Sequence, residues 1–105
     1  MVEIENDNLP LVFKALSNPT RLRILSWLKD PSTHFPLQAD SPGLVGVCVK
    51  QIQEKAGVSQ STASQFMAVL ERAGLVTSQR FGQWTYYQRD EARIAEVTQH
   101  LKAEL

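Results

Sequence analysis

The 105-residue sequence predicts one mainly α-helical domain with a small β-hairpin, built from about five helices and spanning residues 1–105. Three observations support this fold class. Apolar residues recur at helical spacing in several stretches, a glycine joins two short helical stretches by a tight turn, and two β-prone runs flank another glycine. Since 43% of the residues are apolar, the chain can bury a modest core, and at this length a partner subunit would help to bury the rest of its apolar surface.

Residues 9–29 predict the first two helices. Asn18 is a good N-cap for the second helix, and Pro19 suits the first helical position, where its missing N–H costs nothing. Asp30-Pro31 ends this helix, because the residue before a proline avoids the α region. The apolar stripes are Leu9, Val12, Phe13 and Leu16 in the first helix and Leu22, Ile24, Leu25 and Leu28 in the second.

Residues 30–46 predict a long loop, because three prolines and two glycines interrupt any regular element there. Two interpretations stay open. A loop of this length in a small domain is often functional, but surface insertions are also well tolerated. We expect Phe35 and Leu37 to hold the loop against the body of the domain.

Residues 50–73 predict a helix-turn-helix that follows a short β-prone run, Val47-Cys48-Val49. Its first helix covers about residues 51–56. Gly57 suits the left-handed conformation that ends a helix, and Val58 can fill the space between the two helices. Ser59 is a good N-cap for the second helix.

The second helix of this unit has two distinct faces. Ala63, Met67 and Leu70 recur at i, i+4 and i+7 and are expected to face the core. The other face carries only small or amide side chains, namely Gln60, Ser61, Ser64, Gln65 and Ala68. Such side chains allow close approach to DNA and can pair with base edges in the major groove. The alternative is a polar helix in an all-helical protein.

Residues 75–89 predict a β-hairpin, with strands at 75–80 and 84–88 around the turn Phe81-Gly82-Gln83 and with Arg80 at the tip. A hairpin next to a helix-turn-helix is a wing, which is placed to contact phosphates or the minor groove. We expect its aromatic residues, Trp84, Tyr86 and Tyr87, to pack the hairpin onto the helices rather than to stack on bases.

Residues 90–105 predict a last helix, which Asp90 caps and which carries a one-sided apolar stripe: Ile94, Val97, Leu101 and Leu105. Together with the stripe at Leu9–Leu16, this face predicts a homodimer interface. A two-fold dimer would hold two recognition helices about 34 Å apart and would require a pseudo-palindromic site on double-stranded DNA.

The overall composition excludes several classes of protein. The formal net charge is zero and the isoelectric point is about 6.7, unlike a non-specific nucleic-acid binder. Residues 47–89 nevertheless carry five basic and two acidic side chains, a net charge of +3. A single cysteine excludes an intrachain disulfide, and no apolar run or leader-like segment is present, so we expect a cytoplasmic protein. No nucleophile–base pair or phosphate-binding glycine loop indicates an enzyme.

Four sequence blocks resemble the ArsR-type family of winged helix-turn-helix transcriptional repressors. They are FKALSNPTRLRIL at residues 13–25, VSQSTASQ at 58–65, LERAGLV at 70–76 and GQWTYY at 82–87. The resemblance covers about residues 9–105 apart from the 30–46 loop. It implies a homodimer joined through the first and last helices, and repression that is relieved when an effector, often a metal or metalloid ion, lowers the affinity for DNA.

By this resemblance, the DNA-reading positions are Gln60, Ser61, Thr62, Ser64 and Gln65, and we expect phosphate contacts from Arg80, Lys50 and Lys55. Phe66 stands where many members carry a histidine. This departure and the neutral net charge favour the alternative of a winged-helix protein-interaction module without DNA binding.

The effector site departs from the family pattern. Where arsenic-sensing members carry Cys-Val-Cys, this chain has Cys48-Val49-Lys50, and one thiolate next to a cation is a poor site for a soft metal. Glu96, His100 and Glu104 share one face of the last helix, but a solvated face is the better interpretation, and we predict no metal ligand and no cofactor.

Two further residues of the sequence could take part in effector sensing. His34 stands alone in the loop and is not predicted as a metal ligand. Cys48 is either a redox-sensitive thiol, activated by Lys50, or a small buried hydrophobic residue. The effector itself stays unknown.

Overall fold

The computed structural model describes residues 9–35 and 46–105, and within these ranges the chain forms six helices and three strands. The elements are α1 (Leu9–Leu16), α2 (Pro19–Trp27), α3 (Pro31–His34), β1 (Val47–Cys48), α4 (Val49–Ala56), α5 (Gln60–Arg72), β2 (Val76–Phe81), β3 (Trp84–Arg89) and α6 (Glu91–Glu104). This order confirms a mainly α-helical fold with a small hairpin. No described helix has the length and apolar character that crossing a membrane requires.

Helix α2 begins as its sequence predicts but buries a different face. The Asn18 side chain accepts a hydrogen bond from the Arg21 backbone N–H at 2.9 Å, with Pro19 at the first helical position. Ile24, Leu25 and Leu28 are buried, whereas Leu22 is 50% exposed, so its place in the buried stripe was wrong. Leu22 precedes Ile24 by two residues, a rotation of roughly 200°, which turns it away from the core.

The predicted loop at 30–46 begins with a helical turn, α3, which the prolines led us to exclude. Pro31 occupies the first turn of α3, where a proline is tolerated. The Asp30 carboxylate accepts a hydrogen bond from the Thr33 hydroxyl at 2.6 Å. Phe35 is buried edge-to-face against Trp27, with ring centroids 6.4 Å apart, as expected. The remainder of the predicted loop, residues 36–45 with Leu37, lies outside the described residues.

The helix-turn-helix consists of α4 and α5. Helix α4 begins at Val49, two residues earlier than predicted, because only Val47 and Cys48 pair in the sheet. Gly57 ends α4 with φ +70°, and Ser59 caps α5 by accepting the Thr62 backbone N–H at 3.1 Å. Both local predictions are confirmed.

The three strands form an antiparallel sheet in the order β1-β3-β2. Phe81 pairs with Trp84, so the hairpin turn contains only Gly82 and Gln83, and the three-residue turn that we predicted was one residue too long. Gly82 has φ +63°, while Gln83 has a negative φ, which is the pattern of a type II′ turn. This turn matches the twist of the two strands.

The core lies between α1, α2, α4 and α5 and the base of the hairpin. Its largest fully buried side chains are Val12, Ile24, Ile52, Met67, Leu70 and Val76. Helix α6 is capped by Asp90, which accepts the Arg93 backbone N–H at 3.0 Å. Only Val97 of α6 is buried, while Leu105 is 95% exposed. Ile94 and Leu101 pack against the edge of the core and are only partly buried by the described residues, so the apolar stripe of α6 is incompletely covered there.

Candidate nucleic-acid interface

The rotation of α5 about its axis is set by three residues, Ala63, Met67 and Leu70, which are fully buried in the core. The side chains on the opposite side are exposed, as the sequence predicts: Gln60, Ser61, Ser64, Gln65 and Ala68. Residues 60–70 contain no charged side chain. The structure therefore presents a continuous neutral surface of hydroxyls and amides, which we call the α5 outer face.

Arg72 extends the α5 outer face and was missed by the sequence analysis. It is exposed and follows Ser61 by eleven residues and Gln65 by seven, which are helical spacings for one face. That spacing was the available signal. The outer face thus ends in a cation about 16 Å along the helix from Ser61.

Thr62 lies at the edge of the outer face. Its side chain is half-buried, and its hydroxyl accepts a hydrogen bond from the Ser59 hydroxyl at 2.9 Å. Ser59 and Ser61 hydroxyl oxygens are 3.3 Å apart. These contacts fix the first turn of α5 and engage Thr62 in capping, so Thr62 is less open to a ligand than Gln65.

Phe66 is not part of the outer face. It is half-buried, and the Arg21 guanidinium carbon lies 5.6 Å from the centre of its ring. The same guanidinium donates hydrogen bonds to the backbone carbonyls of Ala15 at 2.9 Å and Lys14 at 2.7 Å. Arg21 therefore links the end of α1 to one flank of α5, a contact between distant residues that no local pattern indicates.

The wing is attached to the other flank of α5. The Ser78 hydroxyl of β2 donates a hydrogen bond to the Glu71 carboxylate of α5 at 2.8 Å. Gly74 ends the helix with φ +80°, and the Leu75 N–H donates to the Leu70 carbonyl at 3.0 Å. These contacts fix the direction of the wing relative to the outer face.

Arg80 lies near the tip of the wing, one residue before the strand end, and is exposed. Its Nε donates a hydrogen bond to the Gly82 carbonyl at 3.3 Å. This bond keeps the guanidinium close to the turn, where its remaining N–H groups can reach a phosphate.

The two predicted phosphate-binding lysines lie against different elements. The Lys50 ammonium is 5.9 Å from the centre of the Trp84 ring on the wing, whereas the Lys55 ammonium is 5.0 Å from the Trp27 ring on α2. The structure therefore brings Lys50 to the wing together with Arg80, and it does not bring Lys55 there.

Cys48 lies in β1 opposite Tyr86 and is 8% exposed. This burial supports the interpretation of a small hydrophobic residue beneath the start of α4. The aromatic contact of Lys50 with Trp84 gives that ammonium a partner other than the thiol. A redox role for Cys48 stays a prediction.

The metal-ligand candidates do not come together. Among residues 9–35 and 46–105, no three His, Cys, Asp or Glu side chains are grouped so as to hold a metal ion. Glu96 instead lies 3.7 Å from the Arg93 guanidinium. The Nε2 atom of His100 is buried on α6 without a hydrogen-bond partner in the described part of the chain.

A helix-turn-helix whose second helix shows a neutral amide and hydroxyl face, joined to a β-hairpin, defines the class of winged helix-turn-helix proteins. The family model described as "Bacterial regulatory protein, arsR family" matches residues 47–78. The chain belongs to this family of DNA-binding transcriptional regulators, because a relative that is named as a transcriptional regulator matches it over nearly the whole length of both proteins. That relative, the uncharacterized HTH-type transcriptional regulator YbzH of Bacillus subtilis, is 50% identical over 95 residues, which are 90% of this chain and 95% of YbzH.

Other similar proteins extend the comparison. The putative arsenical resistance operon repressor ArsR2 of Halobacterium salinarum is 38% identical over 69% of this chain and 60% of its own length. Among solved structures, an ArsR family transcriptional regulator has a TM-score of 0.71 at 17% identity, covering 98% of this chain and 92% of that one. HlyU from Vibrio cholerae has a TM-score of 0.62 at 26% identity, covering 92% and 95%. The predicted fold class is confirmed.

We predict that the phenol of Tyr87, in the wing near α5, loses its proton only at a higher pH than an ordinary tyrosine. Burial, and secondly the negative charge of Glu71, raise the pKa of Tyr87 above its ordinary value of 10.0. The folded state therefore favours the neutral phenol, so the corresponding stability is present below about pH 10 and is lost as the pH rises through the raised pKa. The difference in ultraviolet absorbance between wild type and Tyr87→Phe, followed against pH, measures this titration.

Glu71→Gln removes the smaller of the two causes, so the pKa of Tyr87 should fall but stay above its ordinary value. Glu104→Gln, on the exposed end of α6, serves as the matched control and should leave the titration unchanged. A Tyr87 phenol that titrates at or below pH 10 in the folded wild type would show that the junction is not packed as described.

Proposed function

We propose that this protein is a cytoplasmic, homodimeric transcriptional repressor that binds a pseudo-palindromic operator and is released by an effector that is not yet known. The observation that carries the proposal is the exposed, uncharged α5 outer face on the side opposite the buried Ala63, Met67 and Leu70. A helix with this surface can enter the major groove without the repulsion that acidic side chains would cause.

The polar side chains of the outer face suit the reading of base edges. The amides of Gln60 and Gln65 can each donate and accept hydrogen bonds, which matches the donor and acceptor pair of adenine. Ser61 and Ser64 are short enough to let the helix approach the groove closely. In this proposal these four residues make the base contacts.

Phosphate contacts come from the cations that border this face. Arg80 and Lys50 lie on the wing side, and Arg72 lies at the end of α5. Phosphate contacts position a protein on the duplex and supply sequence-independent affinity. Lys55, which lies against Trp27 on α2, is assigned a lesser part in this proposal.

A homodimer would cover the apolar surface left on α1 and α6. Phe13 of α1 is 48% exposed, and Ile94 and Leu101 of α6 are half-buried beside the exposed Leu105. A winged helix-turn-helix domain from Mycobacterium bovis, similar at a TM-score of 0.64 and 24% identity over 99% of this chain and 91% of that one, is described as homodimeric. We therefore assign Leu9–Leu16 and Ile94–Leu105 to the interface.

The alternative of a protein-interaction module loses one of its two arguments. That argument was the departure at Phe66, which stands on α5 where many family members carry a histidine; this ring is half-buried next to the Arg21 guanidinium and lies off the outer face. The absence of salt-dependent affinity for any duplex, in a selection from random-sequence DNA, would favour this alternative over the repressor.

Gln65→Ala is expected to reduce sequence discrimination by about 1–3 kcal/mol, because an amide that reads a base edge is removed. The measurement is a fluorescence-anisotropy titration against the duplex selected by the wild type and against a scrambled duplex. Gln88→Ala, an exposed amide on β3 at the base of the wing, is the matched control. An unchanged ratio of the two affinities in Gln65→Ala would show that α5 is not the reading helix.

Arg80→Ala is expected to weaken binding to all duplexes alike, because the guanidinium contacts phosphate rather than bases. The slope of log affinity against log salt concentration should flatten by about one unit. Titrations at several salt concentrations test this, with Arg23→Ala on the exposed side of α2 as the control. A preserved slope with lost discrimination would instead assign Arg80 to a base.

Phe13→Glu is expected to convert the dimer into a monomer and to weaken operator binding at least tenfold, since one protomer would hold only a half-site. Because Phe13 is half exposed in the single chain, the fold should survive the change. Sedimentation equilibrium gives the oligomeric state. Leu22→Gln, at an apolar position of similar exposure on α2, is the control and should remain dimeric. If Phe13→Glu also remains dimeric, α1 is excluded from the interface.

A further inference from the structure

The tip of the wing carries an aromatic side chain that the described residues leave about half exposed. Phe81 is 47% exposed and occupies the last position of β2, immediately before the Gly82-Gln83 turn. Of the other residues of β2, only Val76, at the opposite end, is buried. A single exposed apolar side chain is common on protein surfaces, so it is the groups around this ring that indicate a ligand.

Phe81 and Arg80 lie on opposite faces of the hairpin, because successive strand residues alternate. Phe81 shares its face with its cross-strand partner Trp84, over which Lys50 lies at 5.9 Å. The guanidinium of Arg80 is held at the turn by its bond to the Gly82 carbonyl. The tip therefore presents an apolar ring with cations on both sides.

The charge of the hairpin restricts the kind of ligand. Residues 76–89 contain no acidic residue and two arginines, of which Arg89 is paired with Glu91 at the base of the hairpin and Arg80 lies near its tip. Glutamines stand at positions 79 and 83, on either side of Phe81 in the sequence. A polyanion with an apolar interior surface fits this composition. The DNA minor groove has both properties, with phosphates along its edges and sugar and base surfaces inside.

We propose that Phe81 enters the minor groove next to the sequence read by α5 and contacts sugars and a base step there as an apolar wedge. This inference rests on the proposed function, since it takes α5 to lie in the major groove. Arg80 then contacts a phosphate at the edge of the same groove.

The dimensions of the wing agree with this placement. Phe81 is five residues beyond the buried Val76, which corresponds to roughly 17 Å at the rise of an antiparallel strand. One turn of DNA is about 34 Å, so the centre of the minor groove lies about half a turn, roughly 17 Å, from the centre of the adjacent major groove.

The test uses the full chain and the duplex that the wild type selects from random-sequence DNA. Phe81→Thr keeps the β propensity of the strand but removes the ring, and Phe81→Leu keeps an apolar side chain. Affinity is measured at several salt concentrations, and the bend of the bound duplex is measured by energy transfer between dyes at its two ends. Thermal melting and circular dichroism verify that each variant is folded.

We expect Phe81→Thr to bind the selected duplex about tenfold more weakly, with the salt slope unchanged and the bend reduced, and Phe81→Leu to lose less. Leu22→Gln, with a similarly exposed apolar side chain on α2, should match the wild type in all three measurements. This pattern distinguishes an apolar wedge from a phosphate contact such as that of Arg80, because removing a phosphate contact changes the slope of log affinity against log salt concentration.

Three results would overturn the inference. The first is a folded Phe81→Thr protein that binds and bends the duplex like the wild type, and the second is a loss of affinity in Leu22→Gln equal to that in Phe81→Thr. The third is a change of oligomeric state in Phe81→Thr, which would assign the ring to a contact with a second copy of the chain. If the wild type selects no duplex at all, the proposed function fails as well. If it selects one and Phe81→Thr is unaffected, only the wedge fails.

Discussion

The burial of Ala63, Met67 and Leu70 is the constraint on which the rest of the molecule depends, because it fixes the rotation of α5. A rotation of one residue position, about 100°, would expose Met67 and bring outer-face amides into the core. Exposing a buried methionine costs roughly 1.5–3 kcal/mol, and each unsatisfied buried amide costs roughly 1–3 kcal/mol more. The fold therefore holds the polar outer face toward solvent with a margin that is large against the stability of a small domain.

The wing depends on the same helix. Glycine is favoured at position 74, since its φ of +80° would strain other residues and a Cβ atom there would also displace the Arg93 side chain, whose Nε would lie 2.8 Å away. The chain then turns directly from α5 into β2, and the Ser78–Glu71 hydrogen bond closes the junction. Because helix and hairpin share these contacts, a movement of α5 moves the wing with it. Any effector that shifts α5 would thus act on both surfaces proposed to meet DNA.

Much of this arrangement could be predicted from the sequence, because it follows from local chemistry. The cap residues Ser59 and Asp90 and the left-handed Gly57 depend only on neighbours within three or four positions. The contact of Arg21 with Phe66 joins residues 45 positions apart, and no periodicity reports it. The predictions for Leu22 and for residues 31–34 were wrong for the same reason. Tertiary packing decides which face of α2 is buried and which conformation the chain adopts after α2. The individual DNA contacts are still predictions.

The distribution of charge around α5 and the wing explains how a protein with no net charge could recognise a specific DNA sequence. Residues 60–70 are uncharged, and the main phosphate contacts are assigned to Lys50, Arg72 and Arg80 of each protomer of the proposed dimer. At about 0.9 counterions released per contact, one protomer would show a salt slope of roughly −3 and a dimer roughly −5. Non-specific attraction by a single protomer is then weak at physiological salt. In the proposed dimer, affinity would come from two half-sites engaged together and from hydrogen bonds of amides with matching bases, and such a surface would favour discrimination between sequences over general attachment to DNA.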